Sequence, residues 1–570
     1  MRPLRGMSLI DVLVGVALML VIFTGLTALL LSSLKVSALA KNRSIATTVA
    51  ESQMEYIRSL AYDNVGTVGG IPAGVIPQIA TTTQNGLVVV TRTLIEYKDD
   101  PADGLGALDT NGINSDYKQI KISATYKVDA IVHTLTIVSN FAPIGIETTT
   151  GGGTLKISVV NAVGTGVPGA TVRIVNASSS PSVDFGTFTD ATGIVYLPGA
   201  QASSEYQVYV SKTGYSSAQT YVRDSVNQNP APGYLTVAVN QTTTGTFAID
   251  RLSTLTVQTF YPVASATYSD SFLDASGIAS TTNTTVSGGK VVLLGGPSTY
   301  VSSGNVTSTQ VAPHYLTAWT DAQISTQTGG DTDVVFHVLD GATSTLIPDA
   351  LLPGNSAGFT STVDLSGLSV TTYPSLMLSA DLTSGSGTET PLLQEWEVQY
   401  LRGPIPFPNI PFTLTGGKTI GSTGSSVPIV KTTIATSTNS AATVTLPLEW
   451  DAYALTLSGY DIVSACTPPP YVLAPAQSVT SSLSLGSSTA RSLLINTNDA
   501  AGVVSGATVT LSRSGYTKTV LSDSCGSAYF GALAAASDYS VTVTKAGYTT
   551  YSAANVTVAT HDYHEALLAP

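Results

Sequence analysis

The sequence predicts a mainly β protein with one long N-terminal α-helix, a small sheet beside that helix, and a series of β-sandwich domains after it. Three observations predict this architecture. An uncharged stretch near the N-terminus is long enough for a membrane helix, runs rich in Val, Thr and Ile alternate with turn residues, and one sequence unit recurs within the β-rich part. At 570 residues the chain is too long for one hydrophobic core.

The composition limits the classes of partner. Charged residues make up only 11% of the chain, and the formal net charge is −13. Because phosphate contacts need cations, this balance argues against a nucleic-acid partner. The two cysteines, Cys466 and Cys525, are too few for a disulfide scaffold. They would be able to pair in an oxidising compartment, and the alternative is two unrelated small residues.

The N-terminal segment has the properties of a membrane helix. Arg2 and Arg5 precede residues 12–34, which carry no charge. As an α-helix this stretch would extend about 35 Å, and the hydrocarbon core of a bilayer is about 30 Å thick. The arginines favour a cytoplasmic N-terminus. The sequence therefore predicts a single-pass helix in the cytoplasmic membrane, with the β-domains outside the cytoplasm and displayed at the cell surface.

A secretory signal peptide is the usual alternative for such a segment. Here the apolar stretch is too long, no small-residue cleavage site follows it, and the helical pattern continues over residues 36–61. One continuous helix is therefore expected to leave the membrane and become amphipathic. The apolar residues near one face of this second part are Ile45, Val49, Tyr56, Ile57 and Leu60.

The start of the helix resembles the class III signal of type IV pilins and pseudopilins. A short basic leader ends in Gly6, and Met7-Ser-Leu-Ile-Asp11 opens the apolar stretch. Residues 50–62 are similar to the helix end of pilin-like proteins. The resemblance implies a leader of residues 1–6, cleavage after Gly6 by a prepilin peptidase, and a mature helix of residues 7–62 that begins at an N-methylated Met7.

The resemblance also implies a role for Asp11, which stands at the fifth mature position, where the family has Glu. An unpaired charge is costly in the apolar bundle formed by assembled pilin helices. The amine of Met7 on one subunit would therefore be neutralised by Asp11 of a neighbour. The shorter Asp side chain suits a minor subunit better than a major one. Other pilin subunits are the partners implied.

Residues 63–147 are expected to form the small sheet, with strands at 86–97, 117–128 and 130–141. An acidic segment, residues 99–116, lies between the first two strands and has five Asp and two Asn. Oxygen ligands of this kind suit Ca²⁺, whereas Asx-Gly turns alone would explain the same composition. The glycine spacing does not match an EF-hand. The candidate calcium ligands are Asp99, Asp100, Asp103, Asp109, Asn111 and Asp116.

After a glycine-rich linker at 148–153, one sequence unit occurs twice and a weaker copy occurs once. Its pattern is G-A-x-V, a strand, an Asp-x-x-Gly turn, and Y-x-V-x-V-x-K-x-G-Y. The units resemble the carboxypeptidase regulatory-like domain, a small prealbumin-like β-sandwich without peptidase chemistry. The matching segments are 169–172 with 506–509, 189–193 with 522–526, and 206–215 with 539–548, and the weaker copy contains 453–460. The expected boundaries are 154–250, 403–488 and 489–570.

Residues 251–402 do not repeat that pattern. Their length and strand order loosely resemble a galactose-binding-like or lectin-like jelly roll. Domains of this kind often bind sugars through exposed aromatic rings. Trp319 and Trp396 lie in alternating strand contexts, so they are candidates for sugar stacking, with core packing favoured as the alternative.

No catalytic constellation emerges from the sequence. His561 and His564 near the C-terminus could hold a metal with adjacent carboxylates, but a frayed or edge-strand polar cluster is favoured. The favoured function is therefore a minor type IV pilin-like surface protein that displays β-domains for adhesion, with a glycan or other cell-surface ligand. Two alternatives stay open: a pseudopilin of a type II secretion or DNA-uptake system, and a membrane-anchored glycan-active enzyme.

Overall fold

The computed structural model describes residues 9–102, 116–128, 130–143, 152–296 and 299–570. One long helix is followed by β-strands along the rest of the chain, which confirms the predicted fold class. The described residues form five separate hydrophobic cores. One core lies between the helix and its sheet, and the other four lie within β-sandwiches.

The head consists of helix α1 (Leu9–Arg58) and a four-stranded antiparallel sheet with strand order β1-β2-β3-β4. The three predicted strands are confirmed to within one residue. Strand β1 is an addition to the prediction, and it joins β2 through Asn85 and Gly86, whose positive φ angles of 49° and 80° suit a tight hairpin. The strands are β1 (Ile79–Gln84), β2 (Leu87–Lys98), β3 (Tyr117–Val128) and β4 (Ile131–Phe141).

The first sandwich contains strands β5 to β13. Its first strand, β5, pairs in parallel with its last strand, β13, and antiparallel with β8. The facing sheet has the order β10-β9-β6-β7. Gly152 and Gly153, expected in the linker, are the first residues of β5. The strands are β5 (Gly152–Val160), β6 (Thr171–Asn176), β7 (Val183–Phe188), β8 (Ile194–Gln201), β9 (Ser203–Ser211), β10 (Ala218–Gln219), β11 (Asn229–Pro230), β12 (Leu235–Val237) and β13 (Thr242–Ala248).

The next strand, β14 (Ser253–Tyr261), corrects a predicted domain boundary. It does not belong to the domain expected at 251–402, because it pairs in parallel with a strand at Ser478–Ser487 and antiparallel with one at Thr443–Leu448. Leu255 and Val257 accordingly lie in the same core as Phe412 and Leu483. A sandwich of ten strands is therefore inserted between the first and second strands of its host.

The inserted sandwich packs two antiparallel sheets face to face. One contains β17-β18-β24-β20-β22 with β15 beside β24, and the other has the order β16-β19-β23-β21. The strands are β15 (Ala264–Asp270), β16 (Ile278–Thr282), β17 (Thr284–Val286), β18 (Val291–Leu293), β19 (Ser303–Ser308), β20 (Leu316–Gln327), β21 (Thr332–Asp340), β22 (Val363–Asp364), β23 (Leu376–Ser384) and β24 (Leu392–Arg402).

The second sandwich combines β14 with strands β25 to β34. One sheet has the order β25-β14-β34-β32, and β30 also pairs with β14. The facing sheet has the order β29-β26-β31-β33. The strands are β25 (Ile405–Pro406), β26 (Pro411–Gly416), β27 (Thr419–Ser422), β28 (Pro428–Val430), β29 (Thr433–Ser437), β30 (Thr443–Leu448), β31 (Asp451–Leu457), β32 (Tyr460–Ala465), β33 (Tyr471–Leu473) and β34 (Ser478–Ser487).

The third sandwich repeats this topology. Strand β35 pairs in parallel with β42 and antiparallel with β39, and the facing sheet has the order β38-β37-β40-β41. The strands are β35 (Ser492–Asp499), β36 (Gly502–Val503), β37 (Thr508–Arg513), β38 (Tyr516–Leu521), β39 (Ser527–Gly531), β40 (Ala536–Thr544), β41 (Tyr551–Val558) and β42 (His561–Leu567).

One buried tyrosine is shared by the three repeated sandwiches. Tyr206, Tyr453 and Tyr539 lie on equivalent strands and are at most 1% exposed. Each hydroxyl donates to a backbone carbonyl four or five residues earlier, over 2.9, 3.1 and 3.0 Å respectively. The ring fills the core while its hydroxyl stays hydrogen-bonded, which explains why this residue type marks the repeat in the sequence.

Candidate functional site: the N-terminal helix and the domain junctions

Helix α1 has two halves with different surroundings. Between Leu13 and Val36 the large apolar side chains that the structure describes are solvent-exposed, since no other part of the described chain covers them. This helix is long and apolar enough to cross a membrane, a property that signal sequences share. The exposed apolar residues are Leu13, Val16, Leu18, Met19, Leu20, Ile22, Phe23, Leu26, Leu29, Leu30, Leu31, Leu34 and Val36.

The C-terminal half of α1 packs against the head sheet. Its apolar side chains recur at helical spacing and meet alternate residues of β3, because successive strand residues point to opposite faces. Arg58, in the last turn, donates to Ser139 Oγ on β4 over 2.9 Å and pairs with Glu55 at 2.6 Å. The buried helix residues are Ile45, Ala46, Val49, Ala50, Met54 and Ile57, and those of β3 are Ile120, Ile122, Ala124 and Tyr126.

The residues of the predicted processing signal lie at the edge of the described chain. Gly6 and Met7 lie outside it, whereas Asp11 lies within α1. Cleavage after Gly6 and charge pairing through Asp11 therefore stay predictions.

The acidic loop is described only at its two ends. The Asp100 N–H donates to Asp116 Oδ2 over 2.6 Å, and the Ala102 N–H donates to Asp100 Oδ1 over 3.0 Å. The second bond is an Asx-turn bond, whereas the first joins the two ends of the loop. Among the described residues, no group of three or more His, Cys, Asp or Glu could hold a metal ion. Asp103, Asp109 and Asn111 lie outside the described chain, and Asp99 directly follows β2, so calcium binding by the whole loop stays a prediction.

The two tryptophans of the inserted sandwich lie in its core. Trp319 and Trp396 are 1% and 0% exposed, so neither ring has a face for a sugar. Trp319 Nε1 donates to the Tyr373 carbonyl over 2.8 Å, and Trp396 packs edge-on against Phe272 at 5.0 Å between centroids. Sugar stacking by these rings is therefore wrong, because both point between the two sheets.

The junction between the second and third sandwiches contains the two cysteines. Cys466 and Cys525 form a disulfide bond, with their Cα atoms 4.4 Å apart. Cys525 occupies the turn after β38, where Asp523 accepts bonds from the N–H groups of Cys525 and Ser527 at 2.9 Å each. Asn496 Nδ2 also crosses this junction, donating to the Ala465 carbonyl over 3.1 Å.

A buried carboxylate, Asp461, was missed by the sequence analysis and lies at the same junction. Its side chain is 0% exposed, and it accepts hydrogen bonds from the hydroxyls of Tyr529 at 2.5 Å and Thr489 at 2.7 Å. Burial acts to raise the pKa of Asp461, but these bonds outweigh burial and hold that pKa below its ordinary value. Burial, with the bond to Asp461, raises the pKa of Tyr529 to about 12. An isolated Asp in a strand gives no sequence signal for such a role.

His561 lies beside this cluster without forming a catalytic relay. Its Nδ1 atom lies 3.0 Å from Ser492 Oγ and 3.2 Å from Asp461 Oδ1. A Ser-His-Asp relay needs the serine and the carboxylate on different ring nitrogens, so this arrangement does not provide one. His564 contacts Tyr551 instead, at 3.1 Å. Both histidines belong to β42, an ordered strand on the edge of its sheet, and three residues apart they face opposite sides.

The junction between the first and second sandwiches is polar. Strand β11 pairs with β27 across it. Lys431 Nζ donates to the Ser217 carbonyl over 2.8 Å and to Glu449 Oε2 over 2.7 Å. Lys418 lies 3.7 Å from the same carboxylate, and burial lowers the pKa of Lys418 although Glu449 partly opposes that effect. A cavity of about 230 Å³ lies beside the two lysines and is walled by both sandwiches, including Tyr221.

Comparisons with known proteins leave the family open. No protein-family model matches the chain, and no curated protein sequence matches it. Among solved structures, it is similar to the TIE protein of Bacillus anthracis (10% identity, TM-score 0.16, 86% of this chain and 74% of that chain). It is also similar to BcpA, the major pilin subunit of Bacillus cereus (9%, 0.13, 73% and 99%), and to the shaft pilin SpaA of Lactobacillus rhamnosus GG (11%, 0.11, 30% and 88%). Likeness at these scores carries no functional argument, so function is argued from the chain's own residues.

Proposed function

We propose that this protein is a minor type IV pilin-like subunit that is anchored by α1 and displays its β-sandwiches for adhesion at the cell surface. The observation that carries the proposal is the division of α1. One half of the helix leaves apolar side chains exposed over more than the length of a bilayer core, while the other half is buried against a four-stranded sheet. A soluble monomer would leave that apolar surface in water at a large cost in free energy.

The sequence before the helix supports the pilin-like form of this anchor over an ordinary one. Gly6 follows Arg2 and Arg5 and directly precedes the helical segment, and Asp11 is the one charged residue near the start of that helix. A carboxylate in an apolar helix needs a cationic partner, and the new N-terminal amine of a neighbouring subunit would supply it. Prepilin peptidase and other pilin subunits are thus the proposed partners.

Processing tests the proposal directly. The intact mass of the protein isolated from membranes is expected to correspond to a chain that begins at Met7 with a methylated amine. Gly6→Leu is expected to abolish cleavage, because a bulky side chain would not fit a site that accepts glycine. Gly25→Leu is the matched control, since Gly25 lies in the exposed half of α1 and a Cβ added there would meet no neighbouring side chain. A chain that keeps Met1, or that is cut after α1, would contradict the pilin-like proposal.

A further inference from the structure

The inserted sandwich stands apart from the repeated ones in its attachment. Its first and last strands lie side by side, with Ala264 opposite Arg402, and this ladder continues into the host, where Tyr261 lies opposite Ile405. Entry and exit at one place allow a whole domain to be added without disturbing the host fold. The inserted sandwich is therefore the one sandwich described by the structure that is not a copy of the repeated unit, so its presence needs a separate explanation.

The outer face of its four-stranded sheet carries a row of hydrogen-bonding side chains. Asn305 on β19 lies opposite Asp381 on β23. One step along, Thr307, Ser379 and His337 are aligned across β19, β23 and β21. Because neighbouring strands are about 4.8 Å apart, the row spans about 10 Å, a distance comparable to one or two sugar rings.

The carboxylate in this row accepts a hydrogen bond on one oxygen and lies beside an imidazole on the other. Asn305 Nδ2 donates to Asp381 Oδ1 over 2.8 Å and to Ser379 Oγ over 2.9 Å. His337 Nε2 lies 3.2 Å from Asp381 Oδ2. The Asp381 side chain is nevertheless 47% exposed. It therefore presents free acceptor positions to solvent in a fixed orientation, which reduces the entropy lost when a ligand binds.

A loop forms a wall along one edge of this row. Buried Asn355 anchors the loop, since its Nδ2 atom donates to the carbonyls of Val338 and Ile347 over 2.8 Å each. The Asn355 carbonyl lies 2.6 Å from His337 Nδ1, and Gly358 lies directly against the His337 ring. The row is thus a shelf with a wall on one side, and glycine keeps that wall close to the imidazole.

The repeated sandwiches lack such a combination of groups on the outer faces described by the structure. Their cross-strand polar contacts include pairs of hydroxyls, such as Thr510 with Thr519 at 3.0 Å, and the ion pair of Arg173 with Asp184 at 2.7 Å. The hydroxyl pairs carry no charge, and both carboxylate oxygens of Asp184 accept from Arg173. In the inserted sandwich, a carboxylate, an amide and an imidazole lie together on three adjacent strands.

We infer that this shelf binds a neutral saccharide through adjacent hydroxyl groups. Asp381 would accept hydrogen bonds from two hydroxyls, and Asn305 and Ser379 would set their positions. Asp333 lies exposed on the same face of β21 and adds a second negative charge, so acidic sugars are disfavoured. The inference rests on the proposed role in adhesion, and it names neutral saccharides as the class of ligand to which the protein adheres.

Ligand-observed NMR on the full-length protein in detergent tests the inference. The probes are lactose, maltose, cellobiose and chitobiose, with sialyllactose as the acidic probe. At least one neutral disaccharide is expected to bind at millimolar concentration and sialyllactose is expected to bind less tightly. Asp381→Asn is expected to weaken binding roughly tenfold, because it removes a charge-assisted acceptor.

Asp364→Asn is the matched control, because it makes the same chemical change on β22, in the opposite sheet of the same domain. It is expected to leave the affinity unchanged. Asn305→Ala is a second variant, and thermal unfolding shows whether either substitution disturbs the fold. Absence of binding by all four neutral probes, or equal affinity of wild type and Asp381→Asn, would overturn the inference. Because the test of N-terminal processing is independent, the anchor and this site can fail separately.

Discussion

The two junctions between repeated sandwiches are built by different chemistry. The second and third sandwiches share a disulfide bond and the buried carboxylate of Asp461. The first and second share a short strand pair, a hydrogen bond from Lys431 to the Ser217 carbonyl, and a cavity. A covalent bond with a fully buried charge fixes geometry more strongly than a partly solvated hydrogen bond. The comparison therefore predicts a stiff junction between the second and third sandwiches, called the outer junction. It predicts a weaker junction between the first and second sandwiches, called the inner junction.

Removal of the disulfide is expected to have the largest effect on this difference. The Cys466→Ser, Cys525→Ser double variant should lose about 4 kcal/mol of unfolding free energy, since the bond closes a 59-residue separation in the unfolded chain. Urea unfolding of the exported protein measures the loss, and reduction of the wild type should reproduce it. Non-reducing peptide mapping that finds both thiols free in exported protein would contradict the pairing.

Loss of the buried carboxylate is expected to have the next largest effect. Asp461→Ala leaves the Tyr529 hydroxyl and the Thr489 N–H without their acceptor, which should cost about 3 kcal/mol. The loss should appear in the urea unfolding of the third sandwich. Asp364→Asn, which changes an exposed carboxylate and keeps an acceptor oxygen for the Ser366 N–H, is the control. Equal stability of Asp461→Ala and wild type would show that the outer junction does not depend on this cluster.

At the inner junction, Lys431→Met is expected to cost about 2 kcal/mol. The substitution removes the bond to Ser217 and leaves the buried Glu449 carboxylate with only the more distant Lys418. Limited proteolysis between the first and second sandwiches should become faster, while cleavage between the second and third stays unchanged. Lys121→Met on the exposed face of β3 is the matched control. Faster cleavage at both junctions would contradict the proposal that Lys431 stabilises only the junction between the first and second sandwiches.

Acid should weaken the outer junction with the smallest effect of the series. Because the pKa of Asp461 is depressed in the folded protein, its stabilisation is present above the ordinary carboxyl pKa and is lost as pH falls through the lower, folded-state pKa. Urea unfolding between about pH 7 and pH 3 should therefore show a stability loss that Asp461→Asn lacks. Parallel pH profiles for the two proteins would show that Asp461 does not contribute to the loss.

The hydrogen-bonded junctions show why part of this molecule could not be predicted. Asp461 and Tyr529 are 68 residues apart, and neither belongs to a recurring motif. The insertion was missed for a related reason: β14 has an ordinary strand pattern, and nothing local shows that its parallel partner is β34. Such pairings depend on which chain segments meet, a choice made by the packing of the whole domain.

By itself, the sequence determined the helix, its uncharged half, three of the four strands of the head and the repeated sandwich unit. These features follow from local periodicity, charge and turn chemistry, which act within a few residues. The tertiary structure alone decided that Trp319 and Trp396 are core residues, that a domain interrupts the second sandwich, and that Asp381 and His337 share a surface. Burial and cross-strand contact are set by sheets assembled from distant segments, so the distances that define a site arise only when those sheets pack together.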